Sequence, residues 1–340
     1  MIIENVSFAG RHCETTTLGA LLRHAGVDLS EPMLFGLGAG LGFVYWDAKG
    51  MDFPFLGGRS RPTAITRTVA DRLGLTLRIQ ETGSPRRAWR NLTAALAAGR
   101  PVGLRLDCYH LDYFTTKVHF GGHFAAMYGY DETHAYLIDT VEQGGAVTTT
   151  LTSLERARDA RGPMSPRNLS YTVGGPVDRP DLGEAVRAAI RDNACAFLDP
   201  PIANLGHRGI GKAAREVLRW LDRSGDPSRD LPLAAALMER GGTGGALFRA
   251  MYRDFLAECA TIVDDDNLRL GHRLYAEIAP LWTEVADHIR AAGETGDRDR
   301  LSRASAILAE LAERERHAMR ILAGVRTSGE TVPTPSGGGS

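Results

Sequence analysis

Apolar positions along the chain change rhythm near residue 175. Before that point two periods alternate. In "CETTTLGALLRHAG" Leu18, Leu21, Leu22 and Ala25 fall three and four apart, which predicts a helix over 13–25, buried on one side and capped by Gly26. "SPRRAWRNLTAALAAGR" predicts another, with Ser84 as N-cap, Pro85 at the first helical position and an end near Gly99. Period two then takes over. "PVGLRLDCY", "HFAAMYGY", "AYLIDT" and "AVTTTLT" read as strands, "DETH" as a turn, and "SLERARDA" as a short helix. After "YTVGGPVDRPDLG" the segments "GEAVRAAIRDNACAFL", "GKAAREVLRWLDR", "ALFRAMYRDFLAECATIV", "RLYAEIAPLWTEVADHIRAAG" and "RLSRASAILAELAERERHAMRILAGV" all carry apolar residues at helical spacing.

The pattern predicts an α+β half over 1–175, an all-α half over 176–326 and a disordered Gly/Ser/Pro tail over 327–340, with Gly174-Gly175-Pro176 as the connection. At 340 residues each half is long enough to bury a core. No internal repeat is visible. A net charge of -1 with 24% charged residues gives no electrostatic footprint for nucleic acid or an anionic membrane. "MIIENVSFAG" lacks a basic flank and a long apolar run, and no stretch is apolar enough to span a bilayer, so a cytoplasmic protein is expected. Cys13, Cys108, Cys195 and Cys259 show no CxxC spacing, which speaks against a zinc ribbon or a disulfide framework.

Chemistry must therefore use single thiols. Cys13 falls in the first turn of its helix, where free backbone N–H groups and the positive end of the dipole favour a thiolate; the plainer reading is a small apolar filler. Cys195 and Cys259 are expected mid-helix in the core, and Cys108 on the buried face of its strand. A cysteine nucleophile needs a base, and the base an orienting group. If the turn of "GGHFAAMYGYDETHAYLID" is centred on Asp131, then 129 pairs with 133, 127 with 135, and His123 falls opposite Asp139, with Cβ atoms about 5 Å apart. A two- or four-residue loop breaks that register. A metal reading would use His110, His119 and His123, but they lie outside any HExxH helix, and no metal is expected.

These residues carry a resemblance. "HCETTTLGALLRHAG", "FGLGAGLGFVYW", "GRPVGLRLDCYHLDYF", "HFGGHFAAMYGYDE" and "LIDT" resemble the N-terminal domain of the butirosin biosynthesis protein H family, and "NLGHRGIGKAA" with "RGGTGGALFRAMYRDFLAEC" is similar to the helical domain of unknown function that often follows it. That family is similar in turn to papain-like cysteine peptidases that trim double-glycine leaders, which implies a central helix packed on an antiparallel sheet. By resemblance Cys13 matches the nucleophile, His123 the base and Asp139 the orienting acid. The resemblance further implies an acyltransferase that takes an acyl or aminoacyl group from an acyl or peptidyl carrier protein and gives it to a small-molecule amine, in antibiotic biosynthesis. No cofactor is implied, because phosphopantetheine arrives on the carrier. A cysteine peptidase or amidase, and a non-catalytic binding module, remain the alternatives.

The chain departs from the papain-like pattern where a glutamine usually supplies an oxyanion donor: Ser7 stands at that distance and Asn5 slightly earlier, so the Cys13 amide and Asn5 are the candidate donors, Asn5 being otherwise an ordinary turn residue. Tyr113 and His119 are candidates to line the cleft, or loop anchors. "GLGAGLG" lacks a Walker lysine and is assigned to tight packing. "RGGTGGALFRAMY" offers helix-entry amides and Arg249 to an anionic group, or is simply a flexible helix entry.

Overall fold

Helix α1 (Cys13–His24) forms where the apolar spacing predicts it, and Gly26 follows its end at φ 85°. The computed structural model describes residues 1–49, 51, 53–162, 164–176 and 181–326; the tail expected over 327–340 lies outside them. After α1 come α2 (Glu31–Leu37), the hairpin β1 (Leu41–Trp46) and β2 (Phe55–Arg59), α3 (Ala64–Arg72), β3 (Leu75–Gln80) and α4 (Pro85–Ala97). Ser84 caps α4 by accepting the Arg87 amide, with Pro85 at the first position as expected. Next are β4 (Val102–Leu106), β5 (His123–Tyr130), β6 (His134–Ile138), β7 (Ala146–Thr150), α5 (Leu151–Asp159) and β8 (Ser170–Pro176).

The main sheet is antiparallel with strand order β3-β8-β4-β5-β6-β7. Alternation along β5 sends Phe124 and Ala126 into the core that holds Leu18 and Leu21 of α1. Ala125 and Met127 enter a second core with Leu92 and Leu96 of α4 and Leu154 of α5. The sheet is thus covered on both faces, with α1 against β5. The Gly174-Gly175-Pro176 run, read from sequence as a connection, is the end of β8, and Gly174 pairs with Thr76 of β3. Two glycines side by side mimic a linker in sequence, yet each can still pair its backbone.

The second half is helical: α6 (Leu182–Leu198), α7 (Gly206–Glu216), α8 (Trp220–Arg223), α9 (Pro227–Arg240), α10 (Arg249–Cys259), α11 (Asp266–Thr295) and α12 (Arg298–Ala323). The architecture is α+β, a central helix on an antiparallel sheet followed by helices. One apolar core runs through both halves, from Leu18 to Trp282 and Leu322. The β1–β2 hairpin joins them: the Phe43 ring lies 5.6 Å from that of Trp282, and buried Asn193 of α6 bonds both the amide and the carbonyl of Leu41. No helix among the described residues is long and apolar enough to cross a membrane.

Candidate active site

Cys13 is the first residue of α1, partly exposed, with His12 as N-cap in an extended conformation. His12 makes no side-chain cap, so another residue takes the amides ahead of the helix. The Glu31 carboxylate of α2 accepts from the Arg11 amide at 2.9 Å, the His12 amide at 2.8 Å and Thr15 Oγ1 at 2.9 Å. Burial raises the Glu31 pKa against these hydrogen bonds. Glu14, fully buried, ties the other side of the turn down: it pairs with Arg59 at 3.1 Å and accepts the amides of Thr63 and Thr66. The start of α1 is thus fixed by two carboxylates, leaving the thiol exposed between them.

His123 opens β5, paired with Leu106 of β4. Its Nε2 lies 2.7 Å from Asp139 Oδ2, and both side chains are buried. The second ring nitrogen is left for Cys13, whose thiol lies near enough to act on the imidazole and favour its charged form. Burial disfavours the imidazolium, but the Asp139 charge, its hydrogen bond and the Cys13 contact outweigh it and hold the His123 pKa well above the ordinary value. Tyr113 Oη donates to the same Asp139 oxygen at 2.7 Å, and the Thr140 amide donates to the other at 2.7 Å. Burial, then Asp139, pushes the Tyr113 pKa well up, so the phenol remains a neutral donor.

The register that brings His123 to Asp139 differs from the one expected. Tyr130 pairs with Ala135 and Gly129 with Tyr136, but Met127 pairs with Leu137 and Ala126 with Ile138: a bulge at Tyr128 shifts the ladder by one. The tight turn alone would set the two side chains on opposite faces. The bulge restores the parity, and His123 meets Asp139 diagonally instead of squarely.

The remaining candidates scatter. Asn5 sits in an exposed turn at φ 60°, and no hydrogen bond of its side chain is found among the described residues. His119 bonds Asp107 at 2.8 Å and stacks on Tyr109 at 3.9 Å, its own side chain 65% exposed. Of the thiols, Cys259 is buried in the helical core, and Cys108, expected on a strand, is buried in the 3-10 turn that follows β4, its Sγ 3.4 Å from Val118 O. Cys195, expected in the core, is exposed: α6 buries Ala194 and Phe197 instead, so the thiol falls on its outer face. A metal set would be Asp107, His110 and His119, whose ligand-type atoms lie within 4.8 Å of one another; Asp107 takes the place the sequence reading gave to His123.

Sequence reasoning missed a contribution from the helical half. Gly242 lies over the residues before Cys13: a Cβ there would stand 3.4 Å from Arg11 O and 3.9 Å from His12 Cα. After it, Ala246, Leu247 and Phe248 all take positive φ, 50°, 47° and 74°, at about 1–2 kcal/mol per residue. Arg249, expected to face an anion, is instead fully buried: its Nε and Nη2 each bond Glu315 at 3.0 Å, and its Nη1 bonds Leu247 O at 2.8 Å. The signal was there in "RGGTGGALF", whose glycines permit the turn.

Comparison with known proteins places this arrangement. The family model described as butirosin biosynthesis protein H, N-terminal, matches residues 12–140, and the one described as a domain of unknown function (DUF4872) matches residues 152–322. The chain belongs to the butirosin biosynthesis protein H family. Cys13, His123 and Asp139 all fall within the stretch matched by the family's N-terminal model, and the 241–248 turn within the second. No curated protein matches the chain. Among solved structures, the peptidase domain of Streptococcus ComA, described as a bi-functional ABC transporter involved in a quorum-sensing pathway, aligns at 14% identity over 50% of this chain and 99% of its own, with a TM-score of 0.33.

Proposed function

We propose that this member of the family is a cysteine-dependent acyltransferase acting through an acyl-cysteine. The observation that carries the reading is the buried His123, 2.7 Å from the Asp139 carboxylate and under the influence of the Cys13 thiol at the head of α1. His123 takes the Cys13 proton; the sulfur attacks the carbonyl of an acyl thioester; the carrier thiol departs with the proton from His123. An amine then attacks the acyl-cysteine, His123 receives its proton, and the thiol is regenerated. Asp139 and Tyr113 hold the imidazole in one orientation, and the free amide of Cys13 is one oxyanion donor. Exchange between thioesters is nearly thermoneutral and aminolysis to an amide is downhill, so the chain's own groups suffice without a metal or nucleotide. The donor is an acyl or peptidyl carrier protein bearing phosphopantetheine, and the acceptor a small amine, in keeping with the biosynthetic family.

Intact-mass measurement tests this. Wild-type protein incubated with a panel of acyl-carrier thioesters gains one acyl mass that Cys13→Ala does not, and an added amine discharges it as amide. Discharge to water alone would make the protein a hydrolase; no adduct with any donor would overturn the reading.

A further inference from the structure

We propose that the helical half completes the active site: Phe248, held in a left-handed turn by Arg249, is a positioning residue that keeps the imidazole of His12 dry beside Cys13. This rests on the reading of Cys13 and His123 as the reacting pair and extends it to a residue from the other half of the chain.

Three observations converge. Ala246, Leu247 and Phe248 hold positive φ in succession, which non-glycine residues avoid and which persists only where the surroundings over-determine it. The surroundings are Arg249, which bonds Leu247 O while its guanidinium is clamped by Glu315 and lies 4.4 Å from the Trp282 ring centroid. The turn delivers Phe248 flat against Phe35, centroids 5.2 Å apart, and perpendicular to the His12 ring, also at 5.2 Å. His12 itself is 3% exposed; its Nδ1 meets Thr15 Oγ1 at 3.2 Å, and its buried Nε2 has no hydrogen-bond partner.

Arg59 of β2 and His123 of β5 are the charged groups that act on the His12 imidazole, Glu31 of α2 accepts its backbone amide, and Cys13 follows it in the chain. Burial first, then the charges of Arg59 and His123, hold its pKa well below the ordinary value. Because its imidazolium is disfavoured, His12 is a poor base, and His123 is the imidazole that takes the Cys13 proton. Letting water in beside His12 would set a second imidazolium against the first.

The test uses the full chain with Cys195→Ser as background. Histidine side chains are titrated by nitrogen–proton NMR, with His12 assigned through His12→Asn, and Cys13 alkylation by iodoacetamide is followed across the same pH range. Phe248→Ala is expected to bring the His12 titration up toward its ordinary pKa of about 6.5 and to change the neutral-pH alkylation rate by about tenfold. Phe248→Asn, whose side chain tolerates the left-handed conformation, gives the same two changes should the alanine variant not fold. Leu308→Ala, a cavity in the distant core of α12, lowers Tm and moves neither. His12 staying neutral in both Phe248 variants with wild-type alkylation, or Leu308→Ala reproducing their alkylation change, overturns the proposal. Slow wild-type alkylation indifferent to His123→Ala would instead sink the underlying reading of the site.

Discussion

His123 and Tyr113 share one oxygen of Asp139, each at 2.7 Å from Oδ2. A fully buried carboxylate that accepts two side-chain donors on one oxygen and the Thr140 amide on the other has three of its roughly four acceptor positions filled. In the proposed mechanism its two partners differ in what they do: His123 passes a proton, and Tyr113 only steadies the acceptor. Asp139→Asn should therefore lower the rate of acyl-cysteine formation by roughly 10²–10⁴-fold, and Tyr113→Phe by less, roughly 10- to 100-fold at most, the worth of one hydrogen bond to a charged group. Single-turnover rates decide it. An equal loss in the two variants would mean that Tyr113 does more than steady Asp139.

The two histidines near Cys13 carry opposite pH signatures. His12 has its folded pKa held below the ordinary 6.5, so the unfolded chain binds the proton more readily, and stability falls as pH drops below about 6.5. The folded pKa of His123 is raised, so its contribution is fully present below about 6.5 and is lost as pH climbs through the folded value. Replacing His12 by Asn should remove an acid-side loss: the Tm advantage of the variant over wild type grows as pH falls from 8 to 5. For His123→Asn the variant compares worst at acid pH and improves as pH rises. Melting curves at fixed ionic strength check both, and a pH-independent gap for either residue refutes its half of the prediction.

Much of this was legible because period betrays packing. Leu18, Leu21 and Leu22 mark α1, Ser84-Pro85 marks the start of α4, and alternation marks β4 to β7. What stayed hidden follows from physics outside any single window. β1 begins in a glycine-rich run, and its burial comes from helices that lie some 240 residues later, through contacts such as Phe43 with Trp282. β3 alternates cleanly, Leu75, Leu77 and Ile79 against Thr76, Arg78 and Gln80, so it was legible although no strand was assigned there; at the sheet's edge even its apolar positions are only half-buried. The bulge at Tyr128 leaves no composition signal, so parity came out right while the opposing residue came out wrong. Arg249 looked free because its acid partner, Glu315, lies 66 residues away.

Thiol labelling should separate the four cysteines cleanly. Cys13 and Cys195 are accessible, whereas burial raises the Cys108 and Cys259 pKa values and shields both. Peptide mapping after brief alkylation of native protein is expected to find two modified sites. Only Cys13 should depend on His123, because Cys195 lies on the outer face of α6, in the helical half of the chain. Rapid labelling of Cys108, which sits near the end of β4, would show that the 108–120 loop opens in solution.

The strained turn also makes a stability prediction that needs no substrate. The Arg249–Glu315 pair is fully buried, bidentate and joined by Trp282 Nε1 at 2.6 Å from Glu315 Oε1. Desolvating two charges is repaid only while both are present, so Glu315→Ala should cost about 3–5 kcal/mol. The paired substitution Arg249→Met with Glu315→Leu spares much of that cost, since an apolar pair leaves no buried charge, but it also releases Leu247 O. Gly58 presses on the turn from β2: a Cβ there would lie 2.3 Å from that same carbonyl, a backbone atom that cannot move aside without disturbing the turn. Gly58→Ala should therefore cost about 1–3 kcal/mol through overpacking, and its cost should shrink in the Arg249→Met, Glu315→Leu background, where the carbonyl is no longer held. Urea unfolding of the four proteins measures this coupling directly; strictly additive losses would show that Arg249 does not hold the turn against β2.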